Sequence, residues 1–125
     1  MQRIATCSCG ELKIRCEGEP LLVSACHCSE CQRRTGSAYG IAAFFDRDQT
    51  EPAGASLIYE RASDSGFAVI QHFCGKCGST VYWYPTRRPE RVAVAVGCFD
   101  DPHFPAPSKA VFTEHAHAWA MLDLG

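Results

Sequence analysis

The sequence predicts a mainly β fold with one short helix, and three observations carry that prediction. Glu11 to Glu17 alternates charged and apolar residues without a break, the period of a half-buried strand. Thr80 to Tyr84 and Arg91 to Val96 are dense in β-branched and aromatic residues. Most of the nine cysteines fall in C-x-C or C-x-x-C pairs, which fold a chain into tight knuckles around a metal ion.

At 125 residues the chain is expected to form one domain spanning 1–125, in which metal cross-links supplement a modest core. A hydrophobic fraction of 46% is ordinary for a globular protein, and a net charge of -2 gives no electrostatic footprint for nucleic acid or an anionic membrane. Met1 to Cys7 lacks an apolar signal core and no later stretch resembles a membrane span, so the expected compartment is cytoplasmic. The odd number of cysteines and their pairing favour metal thiolates over disulfides.

Taken in order, Cys7-Ser8-Cys9-Gly10 is a tight turn carrying two thiols. In the strand that follows, Leu12, Ile14 and Cys16 share one face, so Cys16 is expected to be a small buried hydrophobe. After the Gly18-Glu19-Pro20 turn, Leu21 to Ala25 forms a short strand that leads into Cys26-His27-Cys28-Ser29-Glu30-Cys31. Three thiols in six residues can converge on one ion and leave its fourth position for water, substrate or a distant ligand.

Ser29 and Gln32 have capping-box spacing, Arg33 and Arg34 come late and Gly36 follows, so Ser29 to Thr35 is expected to be a helix capped by Ser29. Its positive N-terminal end favours thiolates there. His27, between two cysteines, is assigned a place behind the ligands or facing substrate. Arg33 and Arg34 either clamp an acidic ligand or are solvated charges at the helix end.

Tyr39 to Phe45 reads as a buried strand, Asp46 to Pro52 as a surface loop, and Ser56 to Arg61 with Gly66 to Phe73 as two strands joined by a turn over 62–65. Cys74-Gly75-Lys76-Cys77-Gly78 is a zinc knuckle by spacing, its glycines letting backbone N–H groups turn toward the sulfurs. With Cys7 and Cys9 it makes a closed four-cysteine structural zinc site. A Pro85 to Pro89 turn separates the next two strands, whose aromatics are read as core. Cys98 is expected to be buried, with completion of the three-cysteine site as the other possibility. Ala110 to Thr113 reads as a last strand, and His115 with His117, like His72 and His103, as surface groups rather than ligands.

Cys7-Ser8-Cys9-Gly10, the central cluster, Phe73 to Ser79 and Ala95 to Pro102 together resemble the glutathione-dependent formaldehyde-activating enzyme family, over most of the chain. The resemblance implies a zinc-stapled β-tent of small antiparallel sheets. It also implies structural zinc on Cys7, Cys9, Cys74 and Cys77 and a second zinc on Cys26, Cys28 and Cys31. The implied reaction joins glutathione and formaldehyde into S-(hydroxymethyl)glutathione, formally the reverse of a carbon–sulfur lyase.

Three thiolates make zinc a weak Lewis acid, better suited to presenting a sulfur nucleophile than to activating water. Cys26, Cys28, Cys31 and His27 are accordingly the catalytic candidates, with His27 or Tyr39 as proton donor. A small thiol such as glutathione and a small aldehyde are the expected partners. The alternatives, in order, are a non-catalytic zinc-binding interaction module and a thiol redox or zinc sensor.

Overall fold

The computed structural model describes residues 1–63 and 65–120. The turn expected over 62–65 therefore lies partly outside the described residues. Strands β1 (Gln2–Thr6), β2 (Lys13–Glu17) and β5 (Thr50–Ala53) form a three-stranded sheet in the order β1-β2-β5. The other seven strands are β3 (Leu22–Cys26), β4 (Gly40–Asp46), β6 (Leu57–Arg61), β7 (Val69–Phe73), β8 (Thr80–Pro85), β9 (Arg91–Ala95) and β10 (Lys109–Val111). They form a second sheet in the order β10-β3-β4-β9-β8-β7-β6, antiparallel except that β10 runs parallel to β3. Helix α1 spans Ser29–Thr35. The mainly β expectation with one short helix after the central cysteines holds.

Period-2 alternation decides what each face of the large sheet meets. Val23, Ala43, Phe45, Val92 and Val94 point into a core shared with Ala5, Leu12, Ile14 and Cys16 of the small sheet and its turn. Ala42, Phe44, Trp83, Ala93 and Ala95 belong to the opposite face, where the central cysteine cluster lies. Cys16 is fully buried, and loss of solvation pushes its thiol up to about 12, so it remains an inert core residue as expected.

Beyond shifts of a residue or two at strand ends, four stretches depart from expectation: Gln2–Thr6, not expected as a strand, forms β1, β7 begins at Val69 rather than Gly66, and the other two are the 46–52 segment and the start of α1. Asp46 to Pro52 is not simply a loop: a 3-10 turn over Arg47–Gln49 leads into β5, which pairs with β2. Pro52 is tolerated there because β5 is an edge strand. Asp46, rather than serving only to solvate a loop, donates its backbone N–H to the Gln49 side chain at 2.9 Å in a capping box. At α1 the N-cap is Cys28, not Ser29: its Sγ accepts from the Cys31 N–H at 3.3 Å. The Ser29 capping box is therefore displaced by one residue, and Gln32 instead donates through its side chain to the carbonyls of His27 and His115.

Gly54 closes the small sheet with φ +90°, and a methyl group there would run into the Glu11 carbonyl. Gly54→Ala combines a left-handed backbone with a backbone collision, so it is expected to cost at least about 2 kcal/mol, read as a fall in the urea midpoint. Among the described residues no helix is long and apolar enough to cross a membrane.

Candidate metal centres

The first cluster joins the β1–β2 turn to the β7–β8 connection. Cys7, Cys9, Cys74 and Cys77 place their sulfurs within 4.8 Å of one another. Cys7–Cys9 and Cys9–Cys74 are each 3.6 Å apart. A tetrahedral zinc with bonds near 2.3 Å requires sulfur–sulfur edges of about 3.8 Å, so the donor set fits the ion. Backbone N–H groups already face the sulfurs: Leu12 donates to Cys7 at 3.2 Å and Lys76 to Cys74 at 3.4 Å. The Ser79 hydroxyl, with the Ser79 and Cys9 backbones behind it, holds the Cys77 thiol down at about 5. Burial works against ionisation of Cys7, yet the Leu12 N–H and the Cys9 thiol outweigh it and lower its pKa.

The second cluster sits where β3 gives way to α1. Cys26, Cys28 and Cys31 also lie within 4.8 Å of one another. The Cys26 and Cys31 thiols and the Cys31 N–H converge on Cys28, with Arg61 adding its charge, and bring the Cys28 pKa down to about 2. Cys26 and Cys31 are raised in consequence, Cys26 chiefly by Cys28 and Cys31 by the balance of its two neighbours and burial. The three sulfurs thus form a donor set on which a thiophilic cation would replace the thiol protons.

This cluster opens into a cavity of about 170 Å³ walled by Ser24, Phe44, Trp83 and Phe112 and flanked by two arginines. Arg61, 7% exposed, donates through Nε to Gln71 Oε1 at 2.8 Å and through Nη1 to the Ala62 carbonyl at 3.1 Å. Arg34 lies with its guanidinium 4.2 Å from the Trp83 ring centre, and its enclosed Nε has no hydrogen-bond partner among the described residues. Gly40 makes room for it, because a methyl group at that position would stand 2.5 Å from Arg34 Nη2. Desolvation lowers the Arg34 pKa while Cys31 and Cys98 sustain its charge. Arg33, in contrast, is 76% exposed and pairs with Glu30 at 3.6 Å.

The other candidates are placed plainly. His27 is 3% exposed, its ring packs on Tyr39 at 5.5 Å, and it is not among the cavity walls. Tyr39 lines a separate recess beyond Arg34, together with Cys98. Cys98 belongs to neither sulfur cluster; its Sγ faces the Thr80 carbonyl at 3.8 Å and burial raises its pKa. His117 bonds to Gln32 at 2.9 Å and His72 to Ser56 at 2.9 Å. Arg61 is the site residue that sequence reasoning missed. Locally it is one of two charges, Glu60 and Arg61, ending β6, and because four strands separate β6 from β3 its meeting with the cysteines across one cavity has no counterpart in strand order.

A curated protein of Halomonas elongata, provisionally named a glutathione-dependent formaldehyde-activating enzyme, is 29% identical over 125 residues, covering 94% of this chain and 79% of that protein. A crystal structure of a Rhodobacter sphaeroides protein shares the fold with a TM-score of 0.65 at 24% identity, over 86% of this chain and 98% of that one. A sequence model described as glutathione-dependent formaldehyde-activating enzyme matches residues 2–115. With both cysteine clusters inside that span, the chain belongs to the glutathione-dependent formaldehyde-activating enzyme family.

Proposed function

We propose that the chain acts as one domain and is a zinc-dependent enzyme of carbon–sulfur lyase type, making or breaking the adduct of a small thiol and a small aldehyde. S-(hydroxymethyl)glutathione, from glutathione and formaldehyde, is the adduct that the family's name suggests. The observation that carries this reading is the three-cysteine cluster opening into a cavity flanked by Arg34 and Arg61. Cys7, Cys9, Cys74 and Cys77 would hold a structural ion, and Cys26, Cys28 and Cys31 a second one. When bound there, zinc supplies acidification of a thiol entering its fourth position.

The chain's own groups do the rest. The cavity walls hold the thiol sulfur beside the aldehyde carbon in a space too small for a bulky carbonyl compound. As the sulfur attacks, the C–S bond forms and the carbonyl π pair moves onto oxygen. Arg34 and Arg61 stabilise that oxyanion, and the proton released by the thiol returns to it to give the hemithioacetal. The reverse direction removes the hydroxyl proton and breaks the C–S bond. His27 supports this geometry by fixing the Cys26–Cys28 segment through its burial against Tyr39. A reducing compartment such as the cytoplasm would keep the thiols available.

The placement of Cys98 outside the cluster favours this reading over a binding module with a saturated ion. Metal content and the thiolate-sensitive absorption of the cobalt-substituted protein test it. The native chain is expected to carry two ions and Cys28→Ser one, and glutathione should change the native spectrum but not that of the variant. A second ion indifferent to every thiol would overturn the lyase assignment. Zinc release and disulfide formation under mild peroxide, without turnover, would instead favour a redox sensor.

A further inference from the structure

The cysteine cavity continues past its rim. Ser24, Phe44, Ser65, Val111 and Phe112 line it and also line a groove of about 370 Å³. The groove's outer walls carry four cations, Arg87, Arg88, Arg91 and Lys109. Strand register sets their distance from the sulfurs. Val111 pairs with Cys26 and Lys109 with Ser24, so Lys109 stands two residues, about 7 Å, along the ladder from Cys26. Gly40 pairs with Cys26 and Asp46 with Arg91, which puts Arg91 six residues, about 20 Å, toward the far end.

These four cations stand out by being gathered in one groove, since the exposed Lys13 and Arg47, which also have no carboxylate partner among the described residues, do not line it. Arg15, Arg33 and Lys76 are each paired, with Glu51, Glu30 and Glu11. Among the described residues none of the groove's four is paired with a carboxylate, and Glu90, the acid in the same turn, does not line the groove. In a protein whose net charge is -2, four cations gathered in one groove beside the cavity mouth form a local positive field that the overall balance conceals.

We propose that this groove is an anion subsite: it holds the acidic end of the thiol whose sulfur enters the cysteine cavity. This rests on the thiol chemistry proposed above and narrows it to thiols that carry a carboxylate or phosphate on a flexible arm. Guanidinium groups receive either oxyanion, and the 7 to 20 Å run of cations along the strands accommodates arms of different length.

Matched pairs of thiols test it on the cobalt-substituted full chain, with binding read from the thiolate-dependent absorption. Pantetheine and 4′-phosphopantetheine differ by one phosphate, and glutathione dimethyl ester and glutathione by their carboxylate charges. The anionic member of at least one pair is expected to bind tenfold or more tightly, and the pair with the larger ratio identifies the oxyanion. The advantage should shrink in high salt. It should also be lost in Arg87→Ala/Arg88→Ala/Arg91→Ala/Lys109→Ala, which removes all four of the groove's cations, with metal content and affinity for the neutral thiol unchanged. Equal binding within both pairs, or an advantage that survives removal of all four cations, overturns the subsite while leaving the thiol chemistry in place. No spectral response to any of the four thiols overturns both.

Discussion

Cys74→Ser is expected to abolish cooperative folding. The thiol stands in the four-cysteine cluster that ties the β1–β2 turn to the β7–β8 connection, positions 65 residues apart between Cys9 and Cys74. A structural zinc contributes an apparent ~10–16 kcal/mol at neutral pH, as much as or more than the ~5–15 kcal/mol net stability of a typical domain. The hydroxyl that replaces the thiol binds zinc poorly and leaves the N–H groups aimed at the sulfurs without an anionic acceptor. Thermal melting followed by far-ultraviolet circular dichroism should show no sharp transition for the variant. The native protein should lose its own transition when a chelator strips the metal and regain it when zinc is returned. A cooperative melt within a few degrees of the native one would show that packing between the two sheets suffices without the ion.

How far this design could be read in advance depended on whether the signal was local. The two cysteine clusters were legible because C-x-C and C-x-x-C spacing restricts where sulfurs can point, whatever the surrounding fold. The burial of Cys16 was legible because it shares a period-2 face with Ile14 inside one strand. The small sheet was less so: β5 reads Thr-Glu-Pro-Ala, with weak strand propensity and mostly exposed side chains, and becomes a strand because β2 lies beside it. The parallel return of β10 along β3 is likewise a product of sheet order, and Arg61 reaches the cysteine cavity from the far edge strand β6, with no trace of either in neighbouring residues. The helix lies where it was expected but its cap does not, since the Cys28 sulfur does there what Ser29 was expected to do.

Arg34→Met is expected to lower turnover by about 10²–10³-fold, the cost of removing one donor to a developing oxyanion, whereas Arg33→Met should leave turnover nearly unchanged. The two arginines are adjacent in α1, about 100° apart around its axis, and only Arg34 turns toward the cavity, over Trp83 and into the space left by Gly40. A structural role would tie lost turnover to lost stability. Here the two are expected to separate, because Arg34 is a desolvated charge whose Nε has no hydrogen bond to lose, and an apolar side chain of similar length keeps the packing on Trp83 without the cost of burying a charge. The melting temperature of Arg34→Met should therefore hold or rise while turnover falls. Affinity of the three-cysteine cluster for its ion should weaken by about 10–100-fold, as when a ligand's supporting contact is removed. Arg34→Lys should recover part of the activity, since it restores the charge without the planar fork or its stacking on Trp83. Equal losses in Arg33→Met and Arg34→Met, or full turnover in Arg34→Met, would remove Arg34 from the chemistry and leave Arg61 as the cavity's acting cation.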